Sequence, residues 1–262
     1  MPQALPAKTL GSPFIELKSV DSTNNYARSR IGTAENTGPQ PSISDGTTFF
    51  AHEQYEGKGQ RGQQWSSAPG MNIAMSIVLK PHPLTISRQF QLSAITAISV
   101  ADIFRKYAGD DTAIKWPNDI YWQDRKAGGI LIESVIRTDH LEPDWTWAII
   151  GIGININQVV FPDWLPNPVS LKQITGKDQD PVGIAHEICD SLGKRFDQLL
   201  QLGFDPLLEE YNQQLYRKGQ LTRFKKQNRI FEASIIAVRP DGRLRLKHAI
   251  EEDFSFGEIQ FA

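Results

Sequence analysis

The chain has 262 residues, of which 40% are hydrophobic and 22% are charged, and its formal net charge is −2. This composition is typical of a globular protein with one or two domains, and it excludes a strong overall attraction to nucleic acid or to a membrane surface. A single cysteine, Cys189, rules out an internal disulfide framework. Residues 1–12 lack the apolar region of a signal peptide, and no apolar run reaches the ~20 residues of a membrane span. We therefore expect a soluble, cytoplasmic protein without a membrane partner.

Hydrophobic periodicity divides most of the chain into strands and helices. The first predicted elements are, in chain order, a strand at 14–19, a helix at 21–31, a turn-rich loop at 33–46, strands at 46–54 and 72–81, and a helix at 87–107. Later come strands at 112–116, 128–137 and 145–156, and then helices at 170–176, 182–201 and 205–218. Cys189 lies among the periodic apolar residues of the helix at 182–201, which predicts a buried core thiol rather than a nucleophile.

From Gly219 onward the pattern changes to short strands, and Pro240-Asp241-Gly242 is a strong signal for a tight turn between two of them. Several short strands in so small a region suggest an SH3-like barrel. The sequence thus predicts an α+β fold. Its parts are a tail at 1–13, a domain of mixed β-sheet with helices at 14–218, and a small SH3-like β domain at 219–262.

The stretch EGKGQRGQQW, residues 56–65, fits the dinucleotide pattern G-x-G-x-x-G but lacks its context. The residues after Gly62 predict a loop rather than a helix, and they are not those of a Walker A motif either. No acid occurs in 57–101, although 30 acids among 262 residues would put about five in those 45 positions. A glycine loop carrying Lys58 and Arg61 in an acid-free region favours an anion. The alternative is a solvated surface loop.

Three further polar segments interrupt the predicted core. In KWPNDIYWQDRKAGGILIES, Asp119 could hold Mg²⁺ and Lys126 could meet a phosphate, or they could form a turn and a solvent-facing lysine. In GIGININ, two glycines would let a ligand approach the amides of Asn155 and Asn157, or would only permit tight packing under a helix. In DSTNN, the polar residues could cap a helix or bind a neutral polar ligand.

Together, these segments resemble the biotin protein ligases, also called biotin–carboxylase ligases, from about Phe14 to the C-terminus. The matching stretches are DSTN, the glycine loop ending in Trp65, KWPND, RKAGGIL and GIGIN, and the pair KWPND and RKAGGIL is the most specific. The resemblance implies a class II synthetase-like catalytic domain. It also implies an enzyme that uses ATP and Mg²⁺ to convert biotin to biotinyl-5′-AMP and then transfers biotin to one lysine of a biotin carboxyl carrier protein or domain.

By position, the resemblance also implies roles for individual residues. Biotin would be bound by Ser22, Thr23, Asn24, Gln54, Gly57, Lys58, Lys126 and Gly128. ATP or the adenylate would be bound by Gly59, Gln60, Arg61, Trp65, Asn118 and Asn155. Electrostatic catalysis would rest on Lys126, Lys58 and Arg61, with Mg²⁺ near Asp119. The family's usual loop form is G-R-G-R, whereas this chain has Gly57-Lys58-Gly59-Gln60, which leaves open how the loop grips phosphate.

Other functions remain open at this point. A lipoate–protein ligase would share the fold and the adenylation chemistry. The basic stretch 216–229 has six cations and no acid, which is compatible with a nucleic-acid-binding module, an acidic carrier or a solvated linker and strand. Only about 13 residues precede the first predicted strand, so we expect no helix-turn-helix, no DNA binding and no repressor role. The sequence leaves the choice between monomer and homodimer open.

Overall fold

The computed structural model describes residues 8–35, 43–137 and 144–262 and contains two β-sheets with helices packed on the larger one. The strands of the larger sheet are β1 (Phe14–Leu17), β2 (Thr48–Ala51), β3 (Ile73–Leu79), β4 (Thr112–Lys115), β5 (Asp119–Trp122), β6 (Arg125–Arg137) and β7 (Asp144–Ile154). The helices are α1 (Thr23–Glu35), α2 (Gln89–Ala108), α3 (Leu171–Thr175), α4 (Pro181–Leu202) and α5 (Asp205–Gln213). The strands of the smaller sheet are β8 (Leu221–Lys226), β9 (Arg229–Val238), β10 (Leu244–Lys247), β11 (Glu251–Phe254) and β12 (Gln260–Phe261).

The larger sheet is mixed and has the strand order β1-β2-β3-β7-β6-β5-β4. Strands β1 and β2 run parallel, and the other neighbours are antiparallel. Helix α1 covers one face through Ala27 and Ile31, whereas α2 and α4 cover the other. Because β7 lies between two layers of helices, both of its faces are apolar, as the sequence predicted for a central strand. The predicted mixed α+β fold is confirmed.

Most predicted elements are present, and three differences have local causes. The four-residue strand β5 begins two residues after Pro117 and is too short to show a periodic pattern, so the sequence did not predict it. Helix α1 extends to Glu35 rather than ending at residue 31; of the loop predicted at 33–46, residues 36–42 lie outside the described part of the chain. Helix α5 ends at Gln213 because the next residues pair with the edge of β4, where Ile114 N donates to Gln214 O at 2.8 Å.

The smaller sheet begins at Leu221, has the order β11-β10-β9-β8-β12 and encloses a core around Phe224 and Phe254. The β9–β10 turn of the smaller sheet packs against the domain that contains the larger sheet. Gly242 has a positive φ, a Cβ placed on it would lie 2.8 Å from the ring of Phe90, and its carbonyl accepts from Trp116 Nε1 at 2.9 Å. This docking puts the turn beside the residues that follow β4.

The structure also bears on the predicted core thiol, the predicted tail and membrane-spanning helices. Cys189 is 1% exposed and packs against Thr48, and burial raises the pKa of its thiol to about 11, so the predicted core thiol is confirmed. Residues 8–13, at the end of the predicted tail, pack on the domain, since Leu10 is buried and Gly11 N donates to Gly46 O. Among the described residues, no helix combines the length and the hydropathy that a membrane crossing requires.

Candidate functional site

A narrow pocket of about 60 Å³ lies where the start of α1, the glycine hairpin at 56–65 and strands β3, β5, β6 and β7 meet. Most of the predicted site residues line it: Ser22, Thr23, Asn24, Gln54, Lys58, Gly59, Gln60, Trp65, Asn118, Asp119 and Lys126. The other lining residues are Met75, Gly129, Ile130, Leu131, Gly151, Ile152 and Gly153. Four segments that are far apart in the sequence therefore meet at one cavity.

One end of the pocket is neutral and rich in hydrogen-bonding groups. Gln54 Oε1 accepts from the backbone N of Thr23 at 2.7 Å and from its Oγ1 at 3.0 Å. A backbone bridge between Val20 and Gln54 holds the two segments side by side. Since Ser22 and Thr23 are buried, this end presents hydroxyl and amide groups in a fixed arrangement that suits an uncharged polar ligand.

Behind these residues lies a polar network that was not predicted. Ser76 Oγ lies 2.7 Å from Thr23 Oγ1 and 2.6 Å from Asn24 Oδ1, and Asn24 Nδ2 donates to Glu133 Oε2 at 2.7 Å. Gly151 is required here, because a Cβ at that position would lie 2.4 Å from Asn24 Oδ1. The signal for Ser76 was present in the sequence, since it is the one polar residue in the strand IAMSIVL.

The glycine segment forms a hairpin that covers the pocket. Trp65 N donates to Gly57 O at 2.9 Å, and Gly59 N donates to Gln63 O at 2.7 Å. A Cβ on Gly57 would lie 2.4 Å from Trp65 O, so the hairpin needs glycine at this position. The Trp65 ring lies on Gly153, where a Cβ would come within 2.5 Å of it. Among the described residues, neither Gln60 Oε1 nor Trp65 Nε1 has a hydrogen-bond partner, although both atoms are buried.

The other end of the pocket is charged. Lys126 Nζ, on β6, lies 2.7 Å from Asp119 Oδ1 at the start of β5, and both side chains are about a quarter to a third exposed. The β5–β6 hairpin brings them together by pairing Asp119 with Gly129. Asn118 Nδ2 donates to Ile130 O at 2.7 Å and so fixes the turn before β5. Asp119 is the only carboxylate among the lining residues, which leaves this end available to an anion once the lysine turns towards it.

Four predicted residues lie beside the pocket rather than on its surface. The backbones of Gly57 and Gly128 are packed closely, and a Cβ on Gly128 would lie 2.8 Å from Gly153 O. Asn155 Nδ2 donates to Val169 O at 3.1 Å, whereas its Oδ1 is buried without a partner among the described residues. The Arg61 guanidinium packs over the Phe256 ring at 4.5 Å and points to the smaller sheet.

The lysines of the polar segments differ from Arg61 in their positions. Lys58 lines the pocket, and its Nζ donates to Asn25 Oδ1 on α1. Lys115, the first residue of KWPND, is used structurally: its ammonium lies over the rings of Tyr121 and Phe261, and burial lowers its pKa. Among the described residues that line the cavity, only Lys58 and Lys126 carry a positive charge.

The side chains near the pocket determine whether it could bind a magnesium ion. Within the described ranges, no group of three or more His, Cys, Asp or Glu side chains could hold a metal ion. Mg²⁺ is often bound by one or two carboxylates together with substrate phosphates rather than by a protein cage. The single carboxylate of Asp119 fits a magnesium ion that arrives with a nucleotide, and the surroundings do not fit a permanently bound metal.

Comparison with known proteins identifies the family of the chain. Residues 17–155 match the family model described as "Biotin/lipoate A/B protein ligase family". The chain belongs to the biotin/lipoate A/B protein ligase family. The bifunctional ligase/repressor BirA of Bacillus spizizenii is 30% identical over 93% of this chain and 72% of its own length. The biotin–[acetyl-CoA-carboxylase] ligase of Paracoccus denitrificans is 30% identical over 74% of this chain and 81% of its own length.

A solved structure shares the fold of this family member. It is a biotin protein ligase from Aquifex aeolicus in complex with biotin and ATP, with a TM-score of 0.77 and 23% identity. The match covers 95% of this chain and 98% of that one, so it includes both sheets. The predicted resemblance and the predicted fold are thereby confirmed, and the match includes the C-terminal sheet that the sequence indicated as a small barrel.

Proposed function

We propose that the protein activates biotin with ATP to form biotinyl-5′-AMP and pyrophosphate, and then transfers biotin to one lysine of a biotin carboxyl carrier protein or domain. One observation carries this proposal: a neutral hydrogen-bonding end and a lysine-bearing end share one narrow pocket. Biotin has the same two ends, a neutral urea ring and a carboxylate. Relatives that are named as biotin ligases support the same conclusion.

In this proposal, the neutral end binds the ureido ring. Thr23 and Gln54 supply hydroxyl and amide groups that match a urea better than charged groups would. The network of Ser76, Asn24 and Glu133 fixes the orientation of Thr23. Such a fixed arrangement lowers the entropy that is lost when the ring is bound.

The charged end brings the biotin carboxylate against the α-phosphate of ATP. Two like charges 4 Å apart repel by about 1 kcal/mol in water and by about 4 kcal/mol at an effective dielectric constant of 20. Lys126 offsets this repulsion, and the carboxylate oxygen attacks the α-phosphorus while pyrophosphate leaves. Lys58 is bound to Asn25 of α1 and would contribute only after leaving that bond. Asp119, the partner of Lys126, would be the residue that holds the Mg²⁺ accompanying ATP, and the ion would supply further positive charge beside the phosphates. No side-chain nucleophile is needed.

The hairpin acts as a lid in this scheme. Trp65 of the hairpin lies on Gly153 and so covers the pocket from one side. The lid would lift to admit the substrates and then close on the adenylate. Gln60 and Trp65, whose buried polar atoms lack partners among the described residues, are positioned to contact the bound adenylate. Closure would protect the mixed anhydride from water.

A lipoate ligase is the second candidate, since the description of the family model names both biotin and lipoate. The named relatives favour biotin. A cytoplasmic location, the absence of DNA binding and the choice between monomer and homodimer stay predictions.

Two assays test this proposal: ATP, Mg²⁺ and labelled pyrophosphate with and without biotin, and ATP, Mg²⁺ and labelled biotin with an isolated carrier domain of acetyl-CoA carboxylase. We expect exchange of label between pyrophosphate and ATP that depends on biotin, and one labelled lysine on the carrier. Exchange with lipoate and not with biotin would instead assign the protein to the second candidate.

A further inference from the structure

The tip of the lid contacts the smaller sheet beside a second cavity. This cavity is a cleft of about 380 Å³ between the two sheets, and it shares Gln60, Asn118 and Ile130 with the substrate pocket. Phe256, which follows β11, lines the cleft from the side of the smaller sheet. The side chain of Arg61, in the lid, lies against Phe256, 195 positions further along the chain. The lid is therefore connected to both parts of the protein.

The smaller sheet offers the Arg61 guanidinium a fitted site. The guanidinium carbon lies 4.5 Å from the centroid of the Phe256 ring, and Nη2 donates to Phe256 O at 3.3 Å. A Cβ on Gly257 would overlap Arg61 Nη2, so a side chain at this position would push the guanidinium away. An aromatic face, a carbonyl oxygen and a bare stretch of backbone thus surround one cation of the lid.

The backbone of the lid is bent where it makes this contact. Arg61 has φ 54° and ψ 38°, a left-handed conformation that is uncommon for a residue with a side chain. Such a conformation persists where surrounding contacts hold it, and the contacts with Phe256 do so here. The preceding residue, Gln60, lines the pocket, and its Oε1 is buried. The position of Gln60 in the pocket therefore depends on the position of Arg61 outside it.

We propose that Arg61 and Phe256 are positioning residues, which hold the lid closed and thereby keep the biotinyl adenylate in the pocket. This inference rests on the proposed function. Since the guanidinium lies on the smaller sheet, it brings no charge to the pocket, and its effect passes through Gln60 and the rest of the lid. This role differs from the electrostatic catalysis that the resemblance implied for Arg61.

The strength of this contact suits a lid that has to open and close. Arg61 is exposed, and Phe256 is 46% exposed. A cation–π contact at an exposed site changes an equilibrium by about two- to five-fold. The contact therefore shifts the population of the lid towards the closed state without preventing the entry of substrates. Its loss would be measured as more frequent opening.

Four single variants separate the ring, the cation and a general disturbance of the smaller sheet. Phe256→Leu removes the aromatic face but keeps an apolar side chain, whereas Phe256→Tyr keeps the face. Arg61→Gln removes the guanidinium with both of its contacts. The control Phe231→Leu makes the same change at a ring of β9 that lines neither the pocket nor the cleft. Thermal unfolding verifies that each variant is folded.

Two rates are measured: the release of biotinyl-5′-AMP that the protein has formed, and trypsin cleavage at Lys58 in the ligand-free protein. Phe256→Leu should raise both rates by about two- to five-fold, and Arg61→Gln by about three- to ten-fold, because it also loses the hydrogen bond. The double variant should match Arg61→Gln, since the ring then has no guanidinium to bind. Phe256→Tyr and Phe231→Leu should match the parent protein.

Three results would overturn the inference. Parental rates in Phe256→Leu would mean that any effect of Arg61→Gln comes from a direct contact with the adenylate. Effects that multiply in the double variant would mean that the two residues act separately. Equal effects in Phe231→Leu would point to a loosened sheet rather than to the Arg61 contact. Cleavage at Lys58 needs no ligand, so it tests the contact even if the parent protein forms no biotinyl-5′-AMP, a result that would contradict the proposed function instead.

Discussion

On the floor of the pocket, Thr23, Asn24 and Ser76 bind one another and neighbouring strands, whereas on the lid Gln60 Oε1 and Trp65 Nε1 have no partner among the described residues. The floor is built from α1 and the central strands, and the lid from a glycine hairpin with few internal hydrogen bonds. The comparison indicates that the floor is formed before substrate binds and that the lid is completed by the substrate. Each experiment below tests one of these two regions or the charge between them.

The largest effect is expected for Lys126→Ala, which removes the cation that both substrates would share in the proposed function. Biotin-dependent ATP–pyrophosphate exchange should fall by about 10²–10³-fold, the range for the loss of one charge-stabilising donor. Thermal unfolding should change little, since the ion pair with Asp119 is partly exposed and contributes little to stability.

The matched control is Lys172→Ala. Lys172 has similar side-chain exposure and also pairs with an aspartate, Asp178 at 2.8 Å, but it lies outside both cavities. Its exchange rate should equal that of the parent. Near-normal exchange in Lys126→Ala would remove Lys126 from the proposed chemistry.

The contact between floor and lid is tested by Gly153→Ala. The new Cβ would lie 2.5 Å from the Trp65 ring, so the lid cannot seat in its present position. Overpacking of this kind costs about 1–3 kcal/mol, which corresponds to an exchange rate lower by about 5- to 150-fold. Gly32→Ala on α1 has open space around its Cβ and should have no such effect. If Gly153→Ala had the same exchange rate as the parent protein, Trp65 would not need to lie on β7.

The floor itself is tested by Asn24→Ala. Ser76 would lose one partner, and Glu133 would keep the weaker ion pair with Arg28 at 3.6 Å. We expect the free energy of unfolding to fall by about 1–3 kcal/mol in urea titrations and the KM for biotin to rise. Asn228→Ala, on the exposed β8–β9 turn, should change stability by about 0.5 kcal/mol or less. Equal stability of both variants would mean that the floor is not held by this network.

The smallest effect is expected in an experiment that changes no residue and follows the opening of the lid by limited proteolysis. Lys58 and Arg61 are exposed trypsin sites within the hairpin. Biotinyl-5′-AMP should slow cleavage there by about ten-fold or more, since the closed lid is cut only when it opens. Cleavage at the exposed Lys225 in β8 serves as the internal reference. Identical rates at the lid with and without the adenylate would count against closure.

The sequence predicted the parts of the site that depend on local signals. Gly151 and Gly153 marked a close backbone approach, and the strand that carries them had a strong hydrophobic pattern. Lys126 and Asp119 were identified from polar residues between strands, and the structure places them at the pocket. Ser76 could have been found by the same reasoning.

What the sequence did not provide depends on the packing of distant segments. Arg61 has a left-handed backbone conformation and turns to Phe256, which no local pattern of the loop indicates. Strand β5 is too short to carry a periodic signal. The cleft beside the pocket exists only because the β9–β10 turn docks on Trp116 and Phe90, residues that lie more than a hundred positions earlier in the chain.

The most direct measurement is a crystal structure of the protein with biotinyl-5′-AMP. We expect the ureido ring against Thr23 and Gln54, the acyl phosphate within hydrogen-bonding distance of Lys126 Nζ, and the hairpin closed over both. An adenylate bound in the cleft between the sheets, with Lys126 still paired to Asp119 and the ring far from Gln54, would contradict it.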